Sequence, residues 1–265
     1  LFSSYKPFSD VSKISMNAGR GAVVVSEEVA AVTAAALRVA ELTGGAFDPT
    51  VGALAQVWGF SGEVKEVPKA EEVARLLPLV DYKNVTVDLK ASTIELERDG
   101  MAFNLGGIAK GYIVGSAVEV LKANGVERAI IKAGGDMFAF NATGSSAPFV
   151  IGIQDPRNPD ALIGEAHFNN GAVATSGDYE RFFIKDSKRY HHILDPSTGY
   201  PAMGTRGVTI VAADPTRADA LSTSVFVMGP ERGMALIERL DGVEGLIVDS
   251  DGEITRSSGF TGKVF

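Results

Sequence analysis

The sequence predicts a mixed fold of packed helices and largely antiparallel sheet. Three observations carry this. Several stretches alternate apolar and polar residues between short polar turns, as half-buried antiparallel strands do. Helical stretches with recognisable starts and stops stand before, between and after them. The chain has 265 residues, 45% hydrophobic and 22% charged, enough for one large core or two closely packed halves. No stretch rich in Pro, Ser or Gly separates two halves, so residues 1–265 are read as one structural unit.

The elements follow in order. The chain opens "LFSSYKPFSDVSK" without a methionine, and a leader together with a first strand is expected to have stood before it. "SEEVAAVTAAALRVAELTGG" reads as the first helix, with Ser26 as N-cap, Glu27 and Glu28 in the first turn, and Gly44 and Gly45 as the stop. "AFDPTVGAL" reads as a loop because of Pro49 and Gly52. "VTVDLKASTIELERDGMAFNL" alternates as strands do, with a turn at residues 90–92. "GGIAKGYIVGSAVEVLKANG" is a helix entered through Gly106 and Gly107 and ended by Asn124 and Gly125. "RAIIKAGGD" is a short buried strand and a glycine turn. Residues 148–212 form a run of strands with turns at "DPRNP", "FNNG" and "KDSK". A helix covers residues 217–228, and Pro230 opens another that stops near Gly242.

"LKANGVERAIIKAGGD" and "IERLDGVEGLIVDSDGE" echo each other, with Gly125 matching Gly242. The echo is either a duplicated β/α unit or two ordinary helix-to-strand connections.

Composition excludes several functions. A formal net charge of −8 with no block of Lys or Arg leaves no basis for general nucleic-acid binding or for a polybasic membrane patch. With no cysteine, disulfides, thiolate catalysis and Cys-ligated zinc are ruled out.

Six short segments could carry chemistry. "NLGGIAKGY" places two glycines and Lys110 at a helix start, where a phosphate is favoured; close packing is the alternative. "KAGGD" ends in Asp136, either near a ligand or in a tight turn. "ADALSTSVFVMG" sets Asp219 and Thr223 four apart on one helix face. They form either an oxygen pair suited to Mg²⁺ or Ca²⁺, or a helix-dipole carboxylate and a back-bonded threonine. "GAVATSGDYERFF" puts Thr175, Ser176, Gly177 and Asp178 in a loop between strands. "AFDPT" sets Asp48 beside Phe47, for a ligand or an Asp-Pro turn. "YHHILDPSTGYP" holds two of the three histidines at the mouth of a tight turn.

In this order, "GGAFDPTVG", "NLGGIAKGY", "KAGGD", "ATSGDYERFF", "HHILDPSTGYP" and "ADALSTSVFVMG" closely resemble the ApbE-type FAD:protein FMN transferase family, over nearly the whole chain. The resemblance implies an α+β fold with FAD in a deep cleft. It implies Mg²⁺-dependent transfer of FMN from FAD to a Thr or Ser hydroxyl of an acceptor flavoprotein, with release of AMP. It further implies an exported, extracytoplasmic protein, often a lipoprotein, acting on a subunit of a membrane redox complex. Two other activities stay open, a Mg²⁺-dependent FAD diphosphatase and a non-catalytic FAD-binding lipoprotein.

By resemblance, the Gly107 carbonyl and the side chains of Asp219 and Thr223 hold the metal. Lys110 and Ser176 contact the cofactor, and Ala46, Phe47 and Asp48 meet the flavin nucleotide. His192 matches the family's His-x-x-Asp-Pro-x-Thr-Gly histidine. An imidazole there suits removal of the acceptor proton. His191, one residue earlier on a strand, is expected to face the other way, structural or solvent-facing, so that His191→Asn does little. The chain departs from the family pattern at Asn104 and Gly115, where Asp is common, and in lacking the first strand with its Met-Gly-Thr.

Overall fold

The computed structural model describes residues 1–60, 62, 65–144 and 147–265. Ser9 accepts from the Ser12 amide and opens α1, Asp10–Met16, a seven-residue helix too short for its periodicity to stand out in the sequence. After β1 (Val23–Val24) comes α2, Glu27–Leu42, capped by Ser26 as expected and stopped by the left-handed Gly44 and Gly45. Gly52 does not sit in a loop. It begins α3, Gly52–Trp58, and must be glycine because a Cβ there would lie 2.4 Å from the Ala102 carbonyl oxygen. The next elements are α4 (Ala70–Leu76), β2 (Val85–Asp88) and β3 (Thr93–Leu96). The alternation at residues 101–105 forms no strand, only an isolated bridge from Ala102 to Val51.

Then follow α5 (Ala109–Ala123), β4 (Arg128–Ala133), β5 (Asp136–Asn141), β6 (Phe149–Gln154), β7 (Leu162–Phe168), β8 (Gly171–Gly177), β9 (Phe182–Lys185) and β10 (Lys188–His191). The chain continues with β11 (Thr205–Ala212), α6 (Pro215–Met228), α7 (Pro230–Ile237), β12 (Val243–Asp249), β13 (Ile254–Arg256) and β14 (Gly262–Val264). This is an α+β fold in which every strand-to-strand ladder is antiparallel. Among the described residues, no helix is long and apolar enough to cross a membrane.

The chain divides into two compact units, Leu1–Ala109 with Arg181–Ala202, and Lys110–Glu180 with Met203–Phe265. Each unit is drawn from two separate stretches of chain, so no single linker marks the division.

The first unit holds the three-stranded sheet β1-β3-β2 and the β9–β10 hairpin. That hairpin turns at Asp186 and Ser187, both at positive φ (51° and 61°), which matches the right-handed strand twist. Its core gathers Leu54, Trp58, Val73, Leu76, Phe183 and Leu194.

The second unit is built on a six-stranded sheet in the order β13-β12-β11-β8-β5-β4. Helix α6 lies across β8 and β11, and α7 beside β12. A smaller sheet, β14-β7-β6, shares with β12 a core of Ile153, Ala166, Leu246, Val248 and Phe260. β4 is not buried as expected: among the described residues it is an edge strand paired only with β5, and its Ile130 is 47% exposed. The two echoing segments both run helix, left-handed glycine (Gly125 φ 79°, Gly242 φ 68°), strand. Their strands take non-equivalent places, β4 at one edge and β12 second from the other.

Candidate active site

Helix α6 starts with Asp214 as N-cap, its carboxylate accepting from the amides of Thr216 and Arg217, and with Pro215 next. The cap is therefore filled before Asp219, which lies one turn further in and is 1% exposed. What Asp219 accepts comes from α5. A Cβ on Gly111 would stand 2.1 Å from the Pro215 carbonyl oxygen and 2.9 Å from the Asp219 Cβ, so only glycine allows this approach. One turn on, a Cβ at Gly115 would meet the Pro215 ring at 2.9 Å. This contact accounts for glycine at this position.

The approach delivers two donors to Asp219. The Gly111 amide donates to Oδ2 at 3.0 Å, and the Lys110 ammonium to Oδ1 at 2.7 Å. Lys110 also donates to Asp136 Oδ2 at 2.7 Å. Asp136 is the first residue of β5, follows the left-handed Gly134, and is 2% exposed. Burial, reinforced by the nearby Asp219 carboxylate, pushes the Asp136 carboxyl up to about 7 against the opposing pull of Lys110. For Lys110 itself burial works against the ammonium, yet Asp219 and Asp136 outweigh it and hold its pKa above the ordinary lysine value.

The other Asp136 oxygen, Oδ1, is buried without a hydrogen-bond partner among the described residues. Thr223, four residues after Asp219, pairs through its hydroxyl with Ser176 Oγ at 3.3 Å. A buried carboxylate, a hydroxyl one turn on, and an unpartnered buried carboxyl oxygen in the same cluster are hard oxygen donors. They fit a divalent cation such as Mg²⁺. Among the described residues no group of three or more His, Asp or Glu could form a metal site, so a cation here would rely on neutral oxygens as well. Ser176 is not in a loop, as the sequence suggested, but near the end of β8, paired with Val208 of β11. Asp178, just beyond, takes a two-pronged ion pair from Arg157 at 2.7 and 2.6 Å.

The first unit carries the remaining expected residues. Phe47 is 4% exposed, and Ala46 half-buried. Asp48 accepts from the Thr50 amide (2.8 Å) and hydroxyl (2.6 Å) on one oxygen and from the Tyr82 amide (2.9 Å) on the other. Its carboxylate thus closes the Asp-Pro-Thr turn. Burial raises its pKa, and the bonds from Thr50 and Tyr82 pull the other way. This turn runs beside the loop that carries Gly107: the Asn104 amide donates to the Pro49 carbonyl at 2.8 Å. Asn104 in turn caps the Gly106 amide at 2.9 Å.

The histidine pair sits at the end of β10. His191 is 5% exposed, with Nε2 against the Ala202 carbonyl at 2.9 Å and Nδ1 accepting from the Ile193 amide at 3.3 Å. That pattern requires the neutral ring protonated on Nε2. His192 is half-buried, and its amide donates to the Arg181 carbonyl. The turn after it is closed by Asp195, whose carbonyl accepts from Gly199 at 2.8 Å and whose side chain holds Ser197. The Trp58 indole braces the turn from below by donating to the Gly199 carbonyl at 2.8 Å.

Of the residues expected from sequence, Lys110, Ser176, Asp219 and Thr223 lie in the second unit, and Ala46, Phe47, Asp48, Gly107 and His192 in the first. Sequence reasoning did not place Asp136 among the site residues. Its glycine turn was visible, but the Lys110 contact spans 26 positions, beyond any local pattern.

Comparison with known proteins gives one consistent result. The model of the ApbE family matches residues 1–247. The FAD:protein FMN transferase of Treponema pallidum is 34% identical over 281 residues, spanning 100% of this chain and 77% of that protein. That of Klebsiella pneumoniae is 34% identical over 254 residues, spanning 94% and 78%. Among solved structures, the ApbE protein of Thermotoga maritima superposes with a TM-score of 0.90 at 44% identity, covering 97% of this chain and 84% of that one. The apo flavinyl transferase ApbE of Pseudomonas stutzeri gives 0.83 at 30%, covering 97% and 81%.

Proposed function

The chain belongs to the ApbE family, and from that premise we propose that it transfers FMN from FAD to a Thr or Ser hydroxyl of an acceptor flavoprotein, using Mg²⁺. The curated relatives matched over most of the chain are FAD:protein FMN transferases, and this chain is an enzyme of that kind. The observation that carries the metal-dependent reading is Asp219. It is buried, it is not the helix cap, and it shares Lys110 with Asp136 while Thr223 stands one turn on.

In the reaction the acceptor oxygen bonds to the FMN phosphorus, the bond from that phosphorus to the AMP oxygen breaks, and AMP leaves. Asp219 and Thr223 would hold Mg²⁺, which would supply charge neutralisation as the diphosphate is split; the Gly107 carbonyl is a ligand by family resemblance alone. Lys110 offers a point cation at the first turn of α5 for the phosphate oxygens. Ser176 and the segment Ala46, Phe47 and Asp48 belong to the FAD-binding surface. His192 takes the hydroxyl proton of the acceptor, a step worth about 10²–10⁴-fold in rate.

One incubation tests the reading: the purified chain with FAD and Mg²⁺, with and without an acceptor domain. AMP formed only with acceptor supports transfer. AMP without acceptor makes the enzyme an FAD diphosphatase. No AMP and a retained yellow colour make it an FAD-binding protein.

Family resemblance supports two further parts of the proposal. The acceptor is a subunit of a membrane redox complex, and the enzyme works outside the cytoplasm, in full-length form as a lipid-anchored protein. Fractionation of cells expressing the full-length protein tests this, and recovery in the cytoplasmic fraction overturns it.

A further inference from the structure

Three hydroxyls beside Asp219 form a chain whose proton directions follow from counting donors. The Asp219 backbone carbonyl accepts from Ser222 Oγ at 2.8 Å. A carbonyl only accepts, and a serine hydroxyl has one proton, so that proton is committed. Ser222 must then accept in its 2.8 Å bond with Ser176 Oγ. Ser176 in turn has given its own proton to Ser222, and so accepts from Thr223 Oγ1 at 3.3 Å. Ser222 is fully buried, so water does not compete for its hydroxyl. The sequence Thr223 to Ser176 to Ser222 to carbonyl therefore has one direction.

We propose that Ser176 and Ser222 are positioning residues that polarise Thr223. They turn its proton toward β8 and leave its oxygen lone pairs free for a divalent cation. The inference rests on the reading that Asp219 and Thr223 hold the metal. A helical threonine commonly donates to the carbonyl one turn back. Here the hydroxyl pairs with Ser176 instead, and a hydroxyl presenting its proton outward would repel a cation. The carbonyl that anchors the relay belongs to Asp219 itself, so one residue fixes both the carboxylate and the polarity of its neighbour.

Calorimetric titration of Mg²⁺ into the full chain, without nucleotide, tests this with no recourse to turnover. Wild type should bind. Ser222→Ala frees the Ser176 proton and should weaken binding about 10–100-fold, the usual loss when a group orienting a ligand is removed. Thr223→Val should weaken binding too, and adding Ser222→Ala to it should cost nothing further. If Ser222→Ala does not fold, Ser176→Ala carries the same comparison, since it removes the acceptor for the Thr223 proton. Wild-type affinity in the Ser222→Ala or Ser176→Ala chain overturns the inference, as does a full additional loss in the Thr223→Val background. Absence of Mg²⁺ binding by the wild-type chain overturns the metal reading and this inference with it.

Discussion

The Lys110 ammonium stands 2.7 Å from Asp219 Oδ1 and 2.7 Å from Asp136 Oδ2. One cation thus bridges two buried carboxyl groups from α6 and β5. With both ionised the cluster is one positive charge short. Either a proton on Asp136 or a bound cation makes up the difference. Burial, together with this excess of negative charge, raises the Asp136 pKa.

Removing Asp219 should separate its two roles. Asp219→Ala is expected to bring metal-dependent AMP release down to background. The fold should persist, because Lys110 keeps Asp136 and Asp214 keeps the helix cap. The Gly111 amide loses its acceptor, which costs about 1–3 kcal/mol and lowers the melting temperature by a few degrees. AMP release and melting temperature measured on the same sample decide the point. Near-normal turnover with a lowered melting temperature would make Asp219 a structural residue.

Gly111→Ala is a steric test of the same arrangement. The added methyl would lie 2.1 Å from the Pro215 carbonyl oxygen, which forces α5 away from α6. Overpacking of this kind costs about 1–3 kcal/mol. The shift should also draw the Lys110 and Gly111 donors away from Asp219. A urea denaturation midpoint equal to wild type would show that the two helices do not approach as described.

The pH dependence of stability follows from Asp136. Its folded-state carboxyl, at about 7, binds a proton more tightly than the unfolded chain, where the ordinary value is 3.8. Between those values the folded state holds the extra proton. This group's contribution to stability is therefore fully present at low pH and is lost as pH rises from about 4 through 7. Asp48, also raised by burial, acts in the same direction. In metal-free buffer, Asp136→Asn should flatten the fall in melting temperature between pH 5 and about 8. An unchanged slope would count against an elevated Asp136.

The two histidines should respond differently, though not as strand alternation alone suggests. His191→Asn was expected from sequence to do little. The structure revises this, since both ring nitrogens are engaged in a buried site, and their loss should destabilise the chain by about 1–3 kcal/mol. His192→Asn should keep FAD binding and stability while slowing transfer by about 10²–10⁴-fold. Denaturation curves beside AMP-release rates separate the pair, and equal behaviour in both assays would refute the division of roles.

What the amino-acid sequence determined by itself was local and periodic. Ser26 and the 44–45 glycines mark α2 because caps and stops are set by nearest neighbours. The β2–β3 alternation and the α5 and α6 helices were legible for the same reason. The order of six motifs identified the family. The sequence could not separate two readings of Asp219 and Thr223, since both place a carboxylate and a hydroxyl four apart. The tertiary structure supplied what spacing could not, the partners of both side chains. It gave the cap to Asp214, brought the Gly111 amide to Asp219 through a contact that excludes any side chain, and paired Thr223 with Ser176, 47 positions away. Asp136 met Lys110 and Ser222 met Ser176 in the same way. Such contacts depend on close approach between elements distant in the chain, and spacing along one strand or helix carries no record of them.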